Sequence, residues 1–142
     1  MSRPIIIKHR NRRNGPGKDD NYPASILISI CEGHNVEIDV WLINNEFYLG
    51  HDAPSFKIDE KFLENHLLWC HAKNSEALFK MLDNPNIHCF WHDNDKHTIT
   101  SNGFIWQAHY DDLTDKTVVV DLSPNPNFNA NCYALCLDFV PK

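Results

Sequence analysis

Short apolar runs that end in polar side chains recur along the whole chain, and this pattern predicts strands that alternate with helices. A β-branched run such as Ile5-Ile6-Ile7 suits a strand that is buried on both faces, as the strands of parallel sheets are. The runs predict strands over residues 5–10, 36–42, 67–73, 87–92, 104–109, 117–122 and 132–140.

Between the first two predicted strands, apolar residues recur at the spacing of a helix. We predict a helix over residues 24–31, with Pro23 in its first turn. Asp59 fits the N-cap of a second helix, and Asn74 or Ser75 fits that of a third. The stripe of the first helix that we expect to face the sheet consists of Ile26, Leu27, Ile30 and Cys31.

Alternation of strands and helices is typical of a parallel sheet with helical crossovers. The chain has 142 residues, the length of one domain, whereas a complete (β/α)₈ barrel usually has about 200 residues or more. We therefore predict an α/β fold over residues 1–142, a reduced TIM-barrel-like sheet of seven parallel strands with few helices that need not close. Exposed strand edges in so short a barrel favour pairing with a second copy of the chain as a homo-oligomer.

Residues 36–52 concentrate the candidate chemistry. Strand alternation places Glu37 and Asp39 on one face, and a tight turn returns the chain to His51 and Asp52. Two carboxylates that face inward are costly to bury unless a cation lies between them, and Mg²⁺ or Ca²⁺ is the simplest such partner. This stretch therefore predicts a divalent metal site.

A second pair, His9-Arg10, ends the first predicted strand. Adjacent parallel strands end at the same edge of a sheet, so His9 and His51 are expected to lie close together. Paired imidazoles suit general acid–base chemistry near neutral pH, because one accepts a proton while the other donates one.

Composition narrows the class of partner. The chain has 13 Lys and Arg against 19 Asp and Glu, a net charge of −6, which argues against a protein that coats nucleic acid. The positive charges near the N-terminus nevertheless cluster around His9, and a local basic patch in an acidic protein suits a small anionic substrate. This cluster consists of Lys8, Arg10, Arg12, Arg13 and Lys18.

Cysteines and apolar runs bear on the cell compartment. The five cysteines are odd in number and form no CxxC pair, which predicts buried reduced thiols and no structural zinc site. The apolar run at the N-terminus is too short for a signal peptide, and no later run approaches the length of a membrane span. We expect a soluble, cytoplasmic protein.

Four segments occur in an order that resembles the glycerophosphodiester phosphodiesterase family, one of a group that includes phosphatidylinositol-specific phospholipases C and the spider-venom sphingomyelinases D. The family pattern has His-Arg-Gly on the first strand, Glu-Asn-Thr before the first helix, Glu-x-Asp on the second strand and His-Asp after it. The resemblance is concentrated in the first 75 residues, and the last strand also resembles the closing strand of the family. The matching segments are Ile7-Lys8-His9-Arg10, Asp20-Asn21-Tyr22-Pro23, Glu37-Ile38-Asp39-Val40 and Gly50-His51-Asp52.

The resemblance implies a metal-assisted hydrolase of a small phosphodiester or a phospholipid headgroup. By this resemblance His9 and His51 are the catalytic acid–base pair. Glu37 and Asp39 are likewise two ligands of one Mg²⁺ or Ca²⁺ ion. The residues that resemble the phosphate-binding positions are Arg10 and Lys73.

Two positions depart from the family pattern. Asn11 replaces the Gly after His-Arg, which predicts a first loop of different build. The third metal carboxylate of the family falls on His71, and hard cations prefer oxygen to imidazole nitrogen. Three outcomes stay open: a weaker hard-metal site, a softer metal, or no metal with His71 in the place of the cation. His92 ends the fourth predicted strand, and we assign it to the substrate-binding residues with Arg10 and Lys73.

Two further interpretations stay open beside the hydrolase. A non-catalytic member of the group would bind phosphodiesters or protein partners through the same site, although binding alone does not need both His9 and His51. A His-lined transition-metal site would instead join His71 to His92 or His109.

Overall fold

The structure, a computed structural model, describes residues 3–141 as a curled sheet with two α-helices. The helices are α1 (Pro23–Cys31) and α2 (Ser75–Leu82), with a 3₁₀ helix at Glu60–Glu64. The strands are β1 (Ile5–His9), β2 (Asn35–Ile43), β3 (Glu46–Leu49), β4 (Phe56–Ile58), β5 (Leu68–Ala72), β6 (Cys89–Phe90), β7 (Thr98–Ile99), β8 (Ile105–Gln107), β9 (Thr117–Asp121) and β10 (Ala134–Leu137).

The sheet is mixed. Parallel pairs join its strands in the order β6-β5-β2-β1-β10-β9-β8. Antiparallel pairs add β3 and β4 beside β2, and β7 beside β8. The prediction of an α/β fold with few helices is therefore confirmed, while β4 is a strand that the apolar pattern does not predict.

The curl of the sheet brings its two ends towards each other. Among the described residues β6 and β8 do not pair directly, and residues 98–101 lie between them. The Ser101 N–H donates to the Cys89 carbonyl at 2.8 Å, and the Thr98 hydroxyl donates to the Trp91 carbonyl at 2.7 Å. Side chains also meet across this gap, since the rings of Phe90 and Trp106 lie 4.3 Å apart.

Three apolar clusters position the strands. The inner layer lies within the curl and combines side chains from β1, β5, β6, β8, β9 and β10. The outer layer packs β2, β3 and β5 against α1, α2 and the 3₁₀ helix, and a third cluster covers the other face of β9 and β10. Alternate side chains of each strand enter opposite layers, so the strands are packed on both faces. This packing fixes the backbone that carries the polar residues near the strand ends. Neither α-helix of the described chain is long and apolar enough to cross a membrane.

The predicted buried stripe of α1 is wrong at two positions. Leu27 is 50% exposed and Cys31 is also exposed, whereas Ser29 is buried beside Ile26. The Ser29 hydroxyl donates to the Asn11 side-chain oxygen at 2.7 Å and accepts from the ammonium of Lys8 at 3.3 Å. These contacts turn the polar side of α1 towards β1. The other four cysteines are buried free thiols, as expected.

The second predicted helix is a short 3₁₀ helix. Asp59 caps it as predicted, since its carboxylate accepts from the Phe62 N–H at 3.0 Å. The helix ends before Asn65, whose backbone is extended and whose side chain accepts from the Leu67 N–H at 2.9 Å. A side chain that bonds the backbone two residues later favours a turn over a further helical turn.

Candidate active site and metal centre

A cleft of about 170 Å³ opens where β1, β5 and β6 end. Seven of the eight predicted site residues line it, so the structure brings them together in one cleft. Its lining consists of His9, Arg10, Glu37, Asp39, His51, His71, His92, Trp106 and Val120.

Strand register explains why these residues meet. In the parallel pair of β1 and β2, His9 lies opposite Glu37. In the parallel pair of β2 and β5, Asp39 lies opposite His71. Glu37 and Asp39 are 2% and 1% exposed, so both carboxylates are buried on the face that alternation predicted.

Asp39 is surrounded by donors. Asn21 donates to its Oδ2 at 3.0 Å and accepts from its backbone N–H at 2.8 Å. Nδ1 of His71 lies 3.2 Å from Oδ1, and Nε of Arg10 lies 3.4 Å from Oδ2. Burial alone would raise the pKa of Asp39, but the contacts with His71, Asn21 and Arg10 together bring this pKa below its ordinary value.

Glu37 has fewer partners. The Arg10 backbone N–H donates to its Oε1 at 3.1 Å, and Nδ1 of His71 lies 3.7 Å from its Oε2. Burial and the neighbouring charge of Asp39 raise the pKa of Glu37 well above its ordinary value. The negative charge of the pair is therefore only partly balanced by protein groups, and a cation beside both carboxylates would stabilise them.

His9 presents one defined nitrogen to the cleft. Its Nδ1 lies 2.7 Å from Oδ1 of Asp138, and a carboxylate only accepts. Nδ1 therefore carries the proton, and Nε2, 3.9 Å from Oε1 of Glu37, offers a lone pair. Burial lowers the pKa of His9 although Asp138 opposes this shift, so the imidazole is neutral at neutral pH.

Two orienting residues have no role predicted from the sequence, although Asn21 lies in one of the segments that resemble the family pattern. Asp138 follows β10, and its second oxygen accepts from Arg12 at 3.0 Å. Arg12 is held in turn by Asp20 at 2.9 and 2.6 Å. Asn21 is the second orienting residue. It precedes α1, and its side-chain amide donates to Asp39 on β2. The only sequence signal for Asp138 was its place at the end of the last predicted strand.

The loop after β1 has an unusual backbone. Arg10 and Asn11 have φ values of 53° and 63°, in the left-handed region that Asn tolerates better than most residues. Asn11, at the position of the Gly in the family pattern, thus adopts a left-handed conformation. The turn directs the Arg10 N–H at Glu37, and Nε of Arg10 is the only buried side-chain polar atom in residues 3–141 without a hydrogen-bond partner.

A glycine places His51 at the mouth of the cleft. Gly50 has a φ of +151°, and a Cβ there would lie 2.0 Å from the Ala53 carbonyl oxygen, so any larger residue would displace the turn. Nδ1 of His51 lies 2.8 Å from Oδ1 of Asp52, and the His51 side chain is 38% exposed. His51 therefore contacts both the cleft and solvent.

His71 and His92 also line the cleft. Nε2 of His71 lies 3.0 Å from the His92 backbone oxygen, and the side chain of His92 pairs with Asp95 at 2.9 Å. His109 is not in the cleft lining; its ring lies against His97, with 5.2 Å between centroids. The structure thus joins His71 to His92 through backbone and leaves His109 apart.

Lys73 is the predicted site residue that does not line the cleft. Its backbone N–H donates to the Val40 carbonyl at 2.8 Å. Its charge still lowers the pKa of Glu37, although burial outweighs this effect. Lys73 therefore acts on the site through its field.

Three ligand atoms converge on one point of the cleft. One oxygen each from Glu37 and Asp39, and a ring nitrogen of His71, all lie within 4.8 Å of one another. Two carboxylates and an imidazole are a donor set that fits a divalent cation.

Comparison with protein-family models, with curated proteins and with solved structures found no match for this chain. The family resemblance therefore depends on the sequence motifs themselves.

Proposed function

We propose that this chain is a phosphodiester hydrolase of the glycerophosphodiesterase and phospholipase C type, built on a reduced (β/α) barrel of seven parallel strands. The observation that carries the proposal is that His9, His51 and Arg10 share one cleft with two buried carboxylates. A purely binding cleft has no need of a histidine whose Nδ1 is held by Asp138 and whose Nε2 is free.

His9 is the general base of this proposal. Nε2 of His9 removes the proton from the attacking hydroxyl, which belongs to water or to the substrate itself. Asp138, at 2.7 Å, stabilises the imidazolium that forms, as the carboxylate of a catalytic triad does. His51 donates a proton to the leaving alkoxide and regains one from solvent, because its side chain is 38% exposed.

Arg10 binds the phosphate oxygens of the substrate. Arg10 lines the cleft, and its Nε lies 3.4 Å from Oδ2 of Asp39 without a hydrogen bond, so its guanidinium would also bind an anion in the cleft. Glu37, Asp39 and His71 would hold a divalent cation, which when bound neutralises charge on the phosphoryl oxygens. A cleft of about 170 Å³ is smaller than the roughly 300–1,000 Å³ of most ligand sites and suits a compact headgroup.

The decisive test is turnover of phosphodiesters by the wild type and by His9→Ala. The panel contains glycerophosphodiesters and an aryl phosphodiester, each assayed with Mg²⁺, Ca²⁺, Mn²⁺, Zn²⁺, Co²⁺ or chelator. We expect metal-dependent hydrolysis that falls about 10²-fold or more in His9→Ala and stays unchanged in His109→Ala, a strand-end histidine outside the cleft. Equal turnover by His9→Ala, or none by either protein, would refute the hydrolase.

His51 offers a second arm of the same experiment. We expect His51→Ala to abolish turnover and to keep the far-UV circular dichroism and melting temperature of the wild type, because its side chain is partly exposed and pairs with the adjacent Asp52. Loss of folding in this variant would assign His51 a structural part instead.

A further inference from the structure

The ring of His71 determines which kind of metal the centre accepts, and this inference rests on the proposed function. We infer that Glu37, Asp39 and Nδ1 of His71 form a centre selective for a first-row transition-metal dication, such as Zn²⁺ or Co²⁺, over Mg²⁺ and Ca²⁺.

Hydrogen bonds determine which nitrogen of His71 faces the carboxylates. Nε2 lies 3.0 Å from the backbone oxygen of His92, and a carbonyl oxygen only accepts, so Nε2 donates to it. Nδ1 faces the carboxylates, which also only accept, so without a metal Nδ1 donates to Asp39 and a bound cation would replace that proton. Nδ1 lies 3.2 Å from Oδ1 of Asp39 and 3.7 Å from Oε2 of Glu37.

The ring is also fixed in orientation. It stacks on Phe90, with 5.2 Å between centroids and an angle of 2° between planes. A metal-binding histidine typically donates its other N–H to a carbonyl or a carboxylate, which fixes the tautomer and makes the ligand more basic. The His92 carbonyl meets this description, so His71 is preorganised as a ligand.

The donor set then selects the metal. Mg²⁺ and Ca²⁺ favour oxygen ligands, whereas imidazole suits zinc and its neighbours. Nδ1 of histidine and Oδ1 of aspartate are both bonded to Cγ, so an aspartate at position 71 would place an oxygen close to where Nδ1 now lies. The exchange of His71 for Asp therefore changes the chemistry of the donor and largely keeps its position.

The test measures metal binding by the full chain with the metals alone. Dissociation constants for Zn²⁺, Co²⁺, Mg²⁺ and Ca²⁺ are obtained by calorimetry for the wild type, His71→Asp and His92→Ala. We expect the preference of Zn²⁺ over Mg²⁺ to fall about tenfold or more in His71→Asp. His92→Ala should keep the wild-type preference within about twofold, because it retains the backbone carbonyl that anchors His71.

A spectroscopic measurement gives a first answer from the wild type alone, before any variant is made. Pulsed electron paramagnetic resonance of the wild type loaded with Mn²⁺ should reveal a directly coordinated ¹⁴N nucleus, and this coupling should vanish in His71→Asp. An unchanged metal preference in folded His71→Asp, or Mn²⁺ without a nitrogen ligand, would overturn the inference.

Two outcomes separate this inference from the proposed function. If no metal binds at millimolar concentration, the imidazole of His71 takes the place of the cation and the inference is overturned, whether or not hydrolysis occurs. If Zn²⁺ binds through His71 but no phosphodiester is hydrolysed with any metal, the metal centre stands and the hydrolase is refuted.

Discussion

At the scale of single residues, Asp138 decides which nitrogen of His9 acts as a base. Asp138→Asn keeps the shape of the side chain, but Arg12 still requires an acceptor, so the amide oxygen turns to Arg12 and the amide N–H₂ faces His9. Nδ1 must then accept, and Nε2 carries the proton into the cleft. We expect kcat to fall about 10²- to 10⁴-fold, as in triads that lose the carboxylate.

The matched control for this prediction is Asp121→Asn. Asp121 also ends a neighbouring strand, but its carboxylate accepts from Tyr110 and lies outside the cleft lining. Steady-state kinetics should therefore give wild-type kcat for Asp121→Asn. A comparable loss in both variants would mean that strand-end acids serve the fold and do not orient His9.

The two buried carboxylates predict opposite effects on stability. The folded protein raises the pKa of Glu37, so its ionisation opposes folding at neutral pH, and Glu37→Gln should stabilise the metal-free protein by about 1 kcal/mol. The folded protein lowers the pKa of Asp39, so Asp39→Asn should destabilise it by a similar amount. Urea unfolding at pH 7 with chelator measures both, and shifts of the same sign would contradict these opposite effects of burial and charge on the two carboxylates.

Residue pairs differed in how far the sequence could predict them. Period-two alternation was enough to place Glu37 and Asp39 together, and parallel pairing was enough to bring His9 beside them. Asp138 lies 129 positions from His9, and no local spacing connects them. Its function depends on which strand neighbours β1, which is a property of the folded sheet.

At the scale of elements, the orientation of α1 is set by polar contacts as much as by apolar area. Ile26 is fully buried and Leu27 is 50% exposed, although both belong to the apolar run. We expect Ile26→Ala to cost about 2–4 kcal/mol of unfolding free energy and Leu27→Ala about 0.5 kcal/mol or less. Chemical denaturation of both variants tests this. Equal losses of unfolding free energy would support the buried stripe that the sequence predicted.

The elements of the first half were easier to predict than those of the second half. Strands β2 and β5 are apolar and have nine and five residues, and α1 precedes β2 while α2 follows β5. Strand β6 has only two residues and β8 only three, so the predicted runs over 87–92 and 104–109 extend beyond the observed ladders. Side-chain packing between Phe90 and Trp106 and the bonds of residues 98–101 hold this region, and periodicity carries no signal for such contacts.

At the scale of the whole molecule, the inner layer makes the two halves of the chain depend on each other. Trp69 from β5 packs against Trp106 from β8, with 5.9 Å between ring centroids. The ring of His88, which precedes β6, lies 4.3 Å from that of Trp69. Nε2 of His88 is 2.7 Å from the Thr100 hydroxyl, so this histidine belongs to the packed region where the sheet ends meet.

Acid should therefore loosen the whole fold through His88. Burial lowers the pKa of His88 from 6.5 to about 4, so above pH 6.5 both the folded and the unfolded chain hold it neutral and its stabilisation is complete. As pH falls from 6.5 towards 4, the unfolded chain binds a proton that the folded chain does not, which removes about 3 kcal/mol of unfolding free energy. Gln at this position can accept from Thr100 without titrating.

Urea unfolding at several pH values should give a shallower loss of stability for His88→Gln than for the wild type, and no such difference for His66→Gln, an exposed control. Parallel curves for His88→Gln and the wild type would mean that the folded protein protonates His88 as readily as the unfolded chain does.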